Sequence, residues 1–255
     1  DGASLMLRLY GVRDGGPARP ALLYLHGGGF VAGSVAMDDR RCARLAQESG
    51  HIIASLEYRL APENPFPAAI EDACAAWAYL QSAAADIGID PALSGVSGSS
   101  AGGHLATGLC LLVKERGLPM PHYLILTNPA LDPGLASASY VEFEDGPFLT
   151  KARMAWYWKQ YASEGAVSST PTWNPLHADV SAFPPSLVIT AELDVLRDEG
   201  EAFAARLANA GVPATTQRHA GMIHGFITVV ADHAEAQSAI ATMAAFMKVQ
   251  TTGGR

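Results

Sequence analysis

The stretch Leu93-Ser-Gly-Val-Ser-Gly-Ser-Ser-Ala-Gly-Gly-His-Leu-Ala106 decides the fold. Its front half is short and apolar enough to be a buried strand, ending near Ser97. Its back half opens a helix predicted from about Ala101 to Arg116. That helix closes with Lys114 and Arg116 in its last turn, Gly117 as a stop and Pro119 beyond. Between the two lies Gly98-Ser99-Ser100-Ala101-Gly102, a G-x-S-x-G pattern. Glycines two before and two after the serine let strand and helix approach without Cβ clashes. The hydroxyl of Ser100 then stands clear at a sharp turn, and the N–H of Ala101 points outward from a helix N-terminus.

The same alternation runs outward in both directions. Ala21–Leu25, His51–Tyr58, Tyr123–Thr127 and Ser186–Thr190 are further apolar runs of strand length. Helices are predicted from Pro67 through Leu80, from about Glu199 to Ala210, and from about Ala234 to Lys248. Strand and helix in alternation mean an α/β fold with a mostly parallel central sheet and helices on both faces. The stretch from about residue 131 to 185 breaks the rhythm. It carries Trp156, Tyr157, Trp158, Tyr161 and Trp173, and reads as an insertion whose aromatics either line a pocket or form its own core.

Composition excludes several classes. The chain has 255 residues, 49% hydrophobic and 16% charged, which suits one large-cored domain over residues 1–255 and not a disordered chain. The net charge of −8, with no basic stripe, argues against nucleic acid as a partner. No apolar run is long enough for a membrane span, and residues 1–20 lack the pattern of a signal peptide. Cys42, Cys74 and Cys110 have neither metal spacing nor a disulfide pattern. They are expected as buried free thiols in a reducing compartment, hence a cytoplasmic location.

A serine at such a turn needs a base, and the base needs an orienting group. Asp194 follows the strand at 186–190 and His224 lies near the chain's end. The order Ser100, Asp194, His224 is that of α/β hydrolases. Glu192 and Asp198 compete for the acid role, and His219 for the base. Glu192 is expected at the strand edge, and Asp198 as a cap on the following helix. His219 is expected on the last strand, with His224 in a loop after Gly221. His26-Gly27-Gly28-Gly29-Phe30 follows a strand and leaves backbone N–H groups free to meet an oxyanion. No G-K-[ST] follows it, so a phosphate cradle is disfavoured.

With these pieces on the page, the chain resembles the hormone-sensitive-lipase-like branch of the α/β hydrolases, the bacterial family IV carboxylesterases. The resemblance rests on His26–Phe30, Tyr58–Glu63, Phe66–Asp72, Gly98–Gly103, Asp194–Gly200 and His224–Phe226. It implies Ser100 as nucleophile, Asp194 as acid, His224 as base, and the N–H groups of Gly28, Gly29 and Ala101 as oxyanion donors. It implies a structural role for Tyr58–Glu63. The expected activity is hydrolysis of short- to medium-chain carboxylic esters through an acyl-enzyme, with a small-molecule ester as substrate and no metal or organic cofactor. An amidase or lactone hydrolase would use the same triad. A receptor on this fold would lack the catalytic His, and His224 is present. The family also implies a homodimer paired through the last strand, near Ala214–His219. Two departures stand out: Ser99 replaces the family's usual Asp or Thr, and the glycine loop begins so early that the N-terminal cap helices are expected to be missing, so that either the cap is reduced or the chain is a truncated or trimmed form.

Overall fold

The computed structural model describes residues 4–12, 15–162 and 170–252. Its sheet runs β1-β3-β2-β4-β5-β6-β7, where β1 is Met6–Tyr10, β2 Arg19–Leu25, β3 Ile52–Glu57, β4 Ile89–Ser99, β5 Leu124–Thr127, β6 Ser186–Leu193 and β7 Ala214–Ile223. Only the β1–β3 pair is antiparallel. The side chains along each central strand alternate between two apolar layers. Leu23, Leu25, Leu124, Leu126 and Val188 face one layer, and Leu22, Tyr24, Ile125, Leu187 and Ile189 the other. The first layer packs under α2 (Ala68–Ser82), α4 (Ala101–Arg116) and α7 (Arg197–Asn209). The second packs under α1 (Asp39–Ser49) and α9 (Ala234–Thr252). This two-sided burial is why the strands read as continuous apolar runs. Among the described residues, no helix is long and apolar enough to cross a membrane.

Strand β1 and helix α1 are among the elements that fall outside the sequence expectations. The edge strand β1 is half-exposed, so its apolar signal is weak. Helix α1 is rich in charge and buries only a narrow stripe, Cys42, Leu45 and Ala46 among it, against α9. Residues 128–185, between β5 and β6, hold α5 (Ala138–Glu142) and α6 (Lys151–Tyr161), while the short α3 (Ala84–Ile87) lies ahead of β4. Residues 163–169 of the expected insertion lie outside the described residues.

The aromatics of this segment divide by position. Trp158, Tyr161 and Trp173 are buried in the core, whereas Trp156 is exposed. Phe30 of the glycine loop stacks on Tyr161 with ring centroids 3.9 Å apart and meets Trp158 at 5.0 Å. His104 lies edge-on to the same rings. Its burial pushes the imidazole pKa down from 6.5 to about 3. The unfolded chain therefore takes up this proton first as pH falls below 6.5. Stability present above that value is lost at roughly 1.4 kcal/mol per pH unit down to about pH 3. Stability against urea is expected to fall across this range, with His26 and His51, whose pKa values burial also lowers, adding to the slope. His104→Leu should make the slope shallower, whatever it does to stability at neutral pH.

Candidate active site

The turn between β4 and α4 is held by its backbone. Ser100 sits at φ 55°, a left-handed conformation unusual outside glycine. Its N–H donates to the Thr127 carbonyl (2.9 Å), and its own carbonyl accepts from Gly103 (2.9 Å) and Ala130 (3.1 Å). A Cβ on Gly98 would sit inside the Gly102 carbonyl, and one on Gly102 inside that of Leu25. The glycine requirement read from the motif is thus one of space, since strand and helix backbones touch here.

The Ser100 side chain meets two residues delivered by other strands. His224 directly follows β7 and Asp194 directly follows β6. His224 Nε2 lies 3.0 Å from Ser100 Oγ, and His224 Nδ1 lies 2.8 Å from Asp194 Oδ2. Asp194 is 1% exposed, which makes its hydrogen bonds obligatory. Its Oδ1 accepts from the Leu196 N–H (3.0 Å) and its Oδ2 also from Asn128 Nδ2 (3.0 Å). Asn128 was not foreseen from the sequence. It occupies φ 47° after β5, a conformation asparagine tolerates, and the Asn128-Pro129 pair at a strand end is the signal that marks the turn.

The competing residues are engaged elsewhere. Glu192 lies near the end of strand β6 and accepts from the Gly221 N–H (2.6 Å). Asp198 does stand at the start of α7, but it caps nothing there. Its carboxylate accepts from the Ser139 N–H (2.7 Å) and from Arg197 Nε (2.7 Å), tying α5 to α7. His219 is on β7 as expected and bonds Glu235 (2.6 Å). His224 does lie off the strand, in the turn with Gly225 that leads into the short α8 (Phe226–Val229), but the turn begins later than expected, because Gly221 belongs to β7, which continues to Ile223.

The glycine loop forms the opposite wall. The N–H groups of Gly28, Gly29 and Ala101 enter no turn or cap hydrogen bond among the described residues. Tyr157 of α6 lies flat over Gly29, where any Cβ would enter its ring. Below the loop, Tyr58 Oη donates to the His26 carbonyl (2.8 Å) and its ring stacks on His26 at 4.1 Å. Arg59 pairs with the buried Asp72 at 2.6 Å. These contacts explain why the Tyr58–Glu63 and Phe66–Asp72 stretches occur together: they brace the loop's base.

Gly28, Gly29, Ser100 and His224 open into a cavity of about 280 Å³, walled by Leu149, Tyr157, Phe148 and Val229. Asp38 also reaches this wall, yet both its oxygens are satisfied, by Tyr24 Oη (2.9 Å) and Thr228 Oγ1 (2.8 Å), with the buried Arg41 at 3.9 Å. Larger grooves elsewhere on the surface contain neither Ser100 nor His224.

Comparison with known proteins places this arrangement in a family. A family model described as alpha/beta hydrolase fold matches residues 22–228. An ethyl acetate hydrolase of Pseudomonas putida is 38% identical over 231 residues, covering 89% of this chain and 73% of that protein. The esterase of Pyrobaculum calidifontis superposes with a TM-score of 0.91 at 42% identity, over 96% of this chain and 80% of that one. An ester hydrolase from the metagenome of Lake Arreo, solved with a bipyridine phosphonate derivative, gives 0.92 at 39% identity, over 97% and 80%. The chain spans 61%, 73% and 59% of the length of three curated relatives that it matches. The chain belongs to the α/β-hydrolase family, in its hormone-sensitive-lipase-like branch.

Proposed function

We propose that this protein is a serine carboxylesterase that hydrolyses short- to medium-chain esters through an acyl-enzyme. The observation that carries the reading is the unbroken chain from Ser100 Oγ through His224 to Asp194, facing free N–H donors across one small cavity. His224 Nε2 takes the proton of Ser100 as the hydroxyl oxygen attacks the ester carbonyl. Asp194 holds the imidazole with Nδ1 protonated and offsets the charge it gains. The N–H groups of Gly28, Gly29 and Ala101 receive the developing oxyanion, each worth about 100- to 1000-fold in rate. His224 then returns the proton to the leaving alcohol. Water, deprotonated by the same imidazole, releases the acid.

The segment near 131–185 supplies, in this reading, part of the pocket wall, through Phe148, Leu149 and Tyr157. A cavity of about 280 Å³ is at the small end for organic ligands, which favours compact esters. The relative named for ethyl acetate hydrolysis supports the same range. Buried, unpaired Cys42, Cys74 and Cys110 favour a reducing, cytoplasmic location. The outer edge of β7 suits pairing with a second copy in a homodimer.

The test is a series of nitrophenyl esters from acetate to palmitate. The value of kcat/KM is expected to peak at octanoate or shorter, with an initial burst of nitrophenol marking the acyl-enzyme. A peak at palmitate overturns the substrate range. No hydrolysis of any member, together with no labelling of Ser100 by an organophosphonate, overturns the reading itself.

A further inference from the structure

One side chain of the cavity wall has no role in the mechanism above. Arg153, on the first turn of α6, borders the same cavity as Ser100 and His224. Its backbone N–H is fixed by the Thr150 hydroxyl (3.1 Å), so the helix start is firmly set. Four residues on, Tyr157 lies over Gly29, and residues at that spacing share one helix face. The guanidinium is therefore presented on the face that carries the ring beside the oxyanion donors.

Arg153 is unusual in its pairing. The other described arginines all donate to a protein acceptor, from Arg59 with Asp72 to Arg218 with Glu201. The Arg153 guanidinium has none among the described residues. Lys151 shares its turn and no acidic residue is present there, although cations are disfavoured at a helix start. The one carboxylate on the cavity wall, Asp38, is already satisfied by Tyr24, Thr228 and Arg41, so it neither pairs with Arg153 nor presents a bare negative charge. An unpaired cation beside the nucleophile, in a chain of net charge −8, attracts an anion to a surface that otherwise repels it.

Building on the esterase reading, we propose that Arg153 makes this site selective for esters that bear a carboxylate a few bonds from the scissile carbonyl. The anion rests on the guanidinium, in bidentate fashion, while the apolar walls take the intervening carbons. The hydrolysis itself is unchanged: water is consumed, and acid and alcohol are released. Arg153 acts on the choice of substrate.

The experiment uses two pairs of esters, each matched in length and differing in charge. Monomethyl succinate and methyl succinamate place the carboxylate or its amide on the acyl side. Acetylated γ-hydroxybutyrate and its amide place it on the alcohol side. The readout is the ratio of kcat/KM, carboxylate over amide. In at least one pair the wild-type ratio is expected to exceed that of R153Q by about threefold to tenfold, the range for a partly exposed ion pair. R153K should keep the sign of the preference at reduced size, since an ammonium supplies the charge without the bidentate fork, and R153E should reverse it. Raising the salt to about 1 M should shrink the wild-type ratio towards that of R153Q. The pair whose ratio moves identifies the side that carries the anion. Ratios unchanged by R153Q and R153E in both pairs overturn the proposal while leaving the esterase reading intact, provided that the amides are hydrolysed. If wild type cleaves none of the four yet hydrolyses nitrophenyl acetate, the proposal falls and the esterase reading stands; if nitrophenyl acetate also survives, the esterase reading falls with it.

Discussion

Ser100→Ala is expected to lower ester turnover by about 10⁴- to 10⁶-fold while the protein remains folded. Both halves of that expectation come from the same geometry. The side chain makes one hydrogen bond, to His224 at 3.0 Å, and everything that holds the turn is backbone. Removing Oγ deletes the attacking atom without releasing the N–H bond to Thr127 or the carbonyl bonds from Gly103 and Ala130. The check is a pair of measurements, hydrolysis of nitrophenyl acetate and thermal unfolding. Rates near wild type in the variant would remove Ser100 from the mechanism.

Asp194→Asn should come next in size, at roughly 10⁴-fold in kcat. The amide matches the carboxylate in shape, so the pocket stays filled. Its NH₂ group must take the place either of Oδ2, which accepts from both His224 Nδ1 and Asn128 Nδ2, or of Oδ1, which accepts from the Leu196 N–H. At Oδ2 it favours protonation of His224 at Nε2, the atom that has to accept the Ser100 proton, and sets donor against donor at Asn128. At Oδ1 it sets donor against donor at the buried Leu196 N–H, and the imidazolium loses its negative partner. Asp198→Asn is the matched control. Asp198 serves Ser139 and Arg197 and does not touch His224, so the expected effect is about 1 kcal/mol of stability and a several-fold change in rate at most. A larger kinetic loss in Asp198→Asn than in Asp194→Asn would transfer the acid role.

The fold was legible wherever burial on both faces forced unbroken apolar runs, as in Ala21–Leu25 and Tyr123–Thr127. The helix after Ser100 was legible to its last residue, because Gly117 and the basic last turn mark its end and the glycines mark its start. Strand β1 was not, since an edge strand with one partner carries little alternation. Helix α1 hid its apolar stripe among arginines and acids. At the site, Ser100, Asp194 and His224 could be named from order and spacing, and the structure brings them within hydrogen-bond distance of one another. Asn128 could not, because its contact with Asp194 spans 66 residues and depends on how β5 and β6 lie side by side. The aromatic segment was recognised as a unit, yet only tertiary packing separates Tyr157 at the cavity from Trp158 and Tyr161 in the core.

The stack of Phe30 on Tyr161 has a consequence for how such an enzyme diversifies. The serine, acid and base hang from three strand ends, which the sheet keeps in place regardless of what surrounds them. Gly28 and Gly29, the proposed oxyanion donors, instead share a mechanical unit with α6, through Phe30 on Tyr161 and Gly29 under Tyr157. Divergence in α6 that reshapes the substrate pocket therefore also shifts the donors that meet the transition state. Lineages exploring new substrates by this route would pass through slower intermediates unless changes in the loop and the helix arise together.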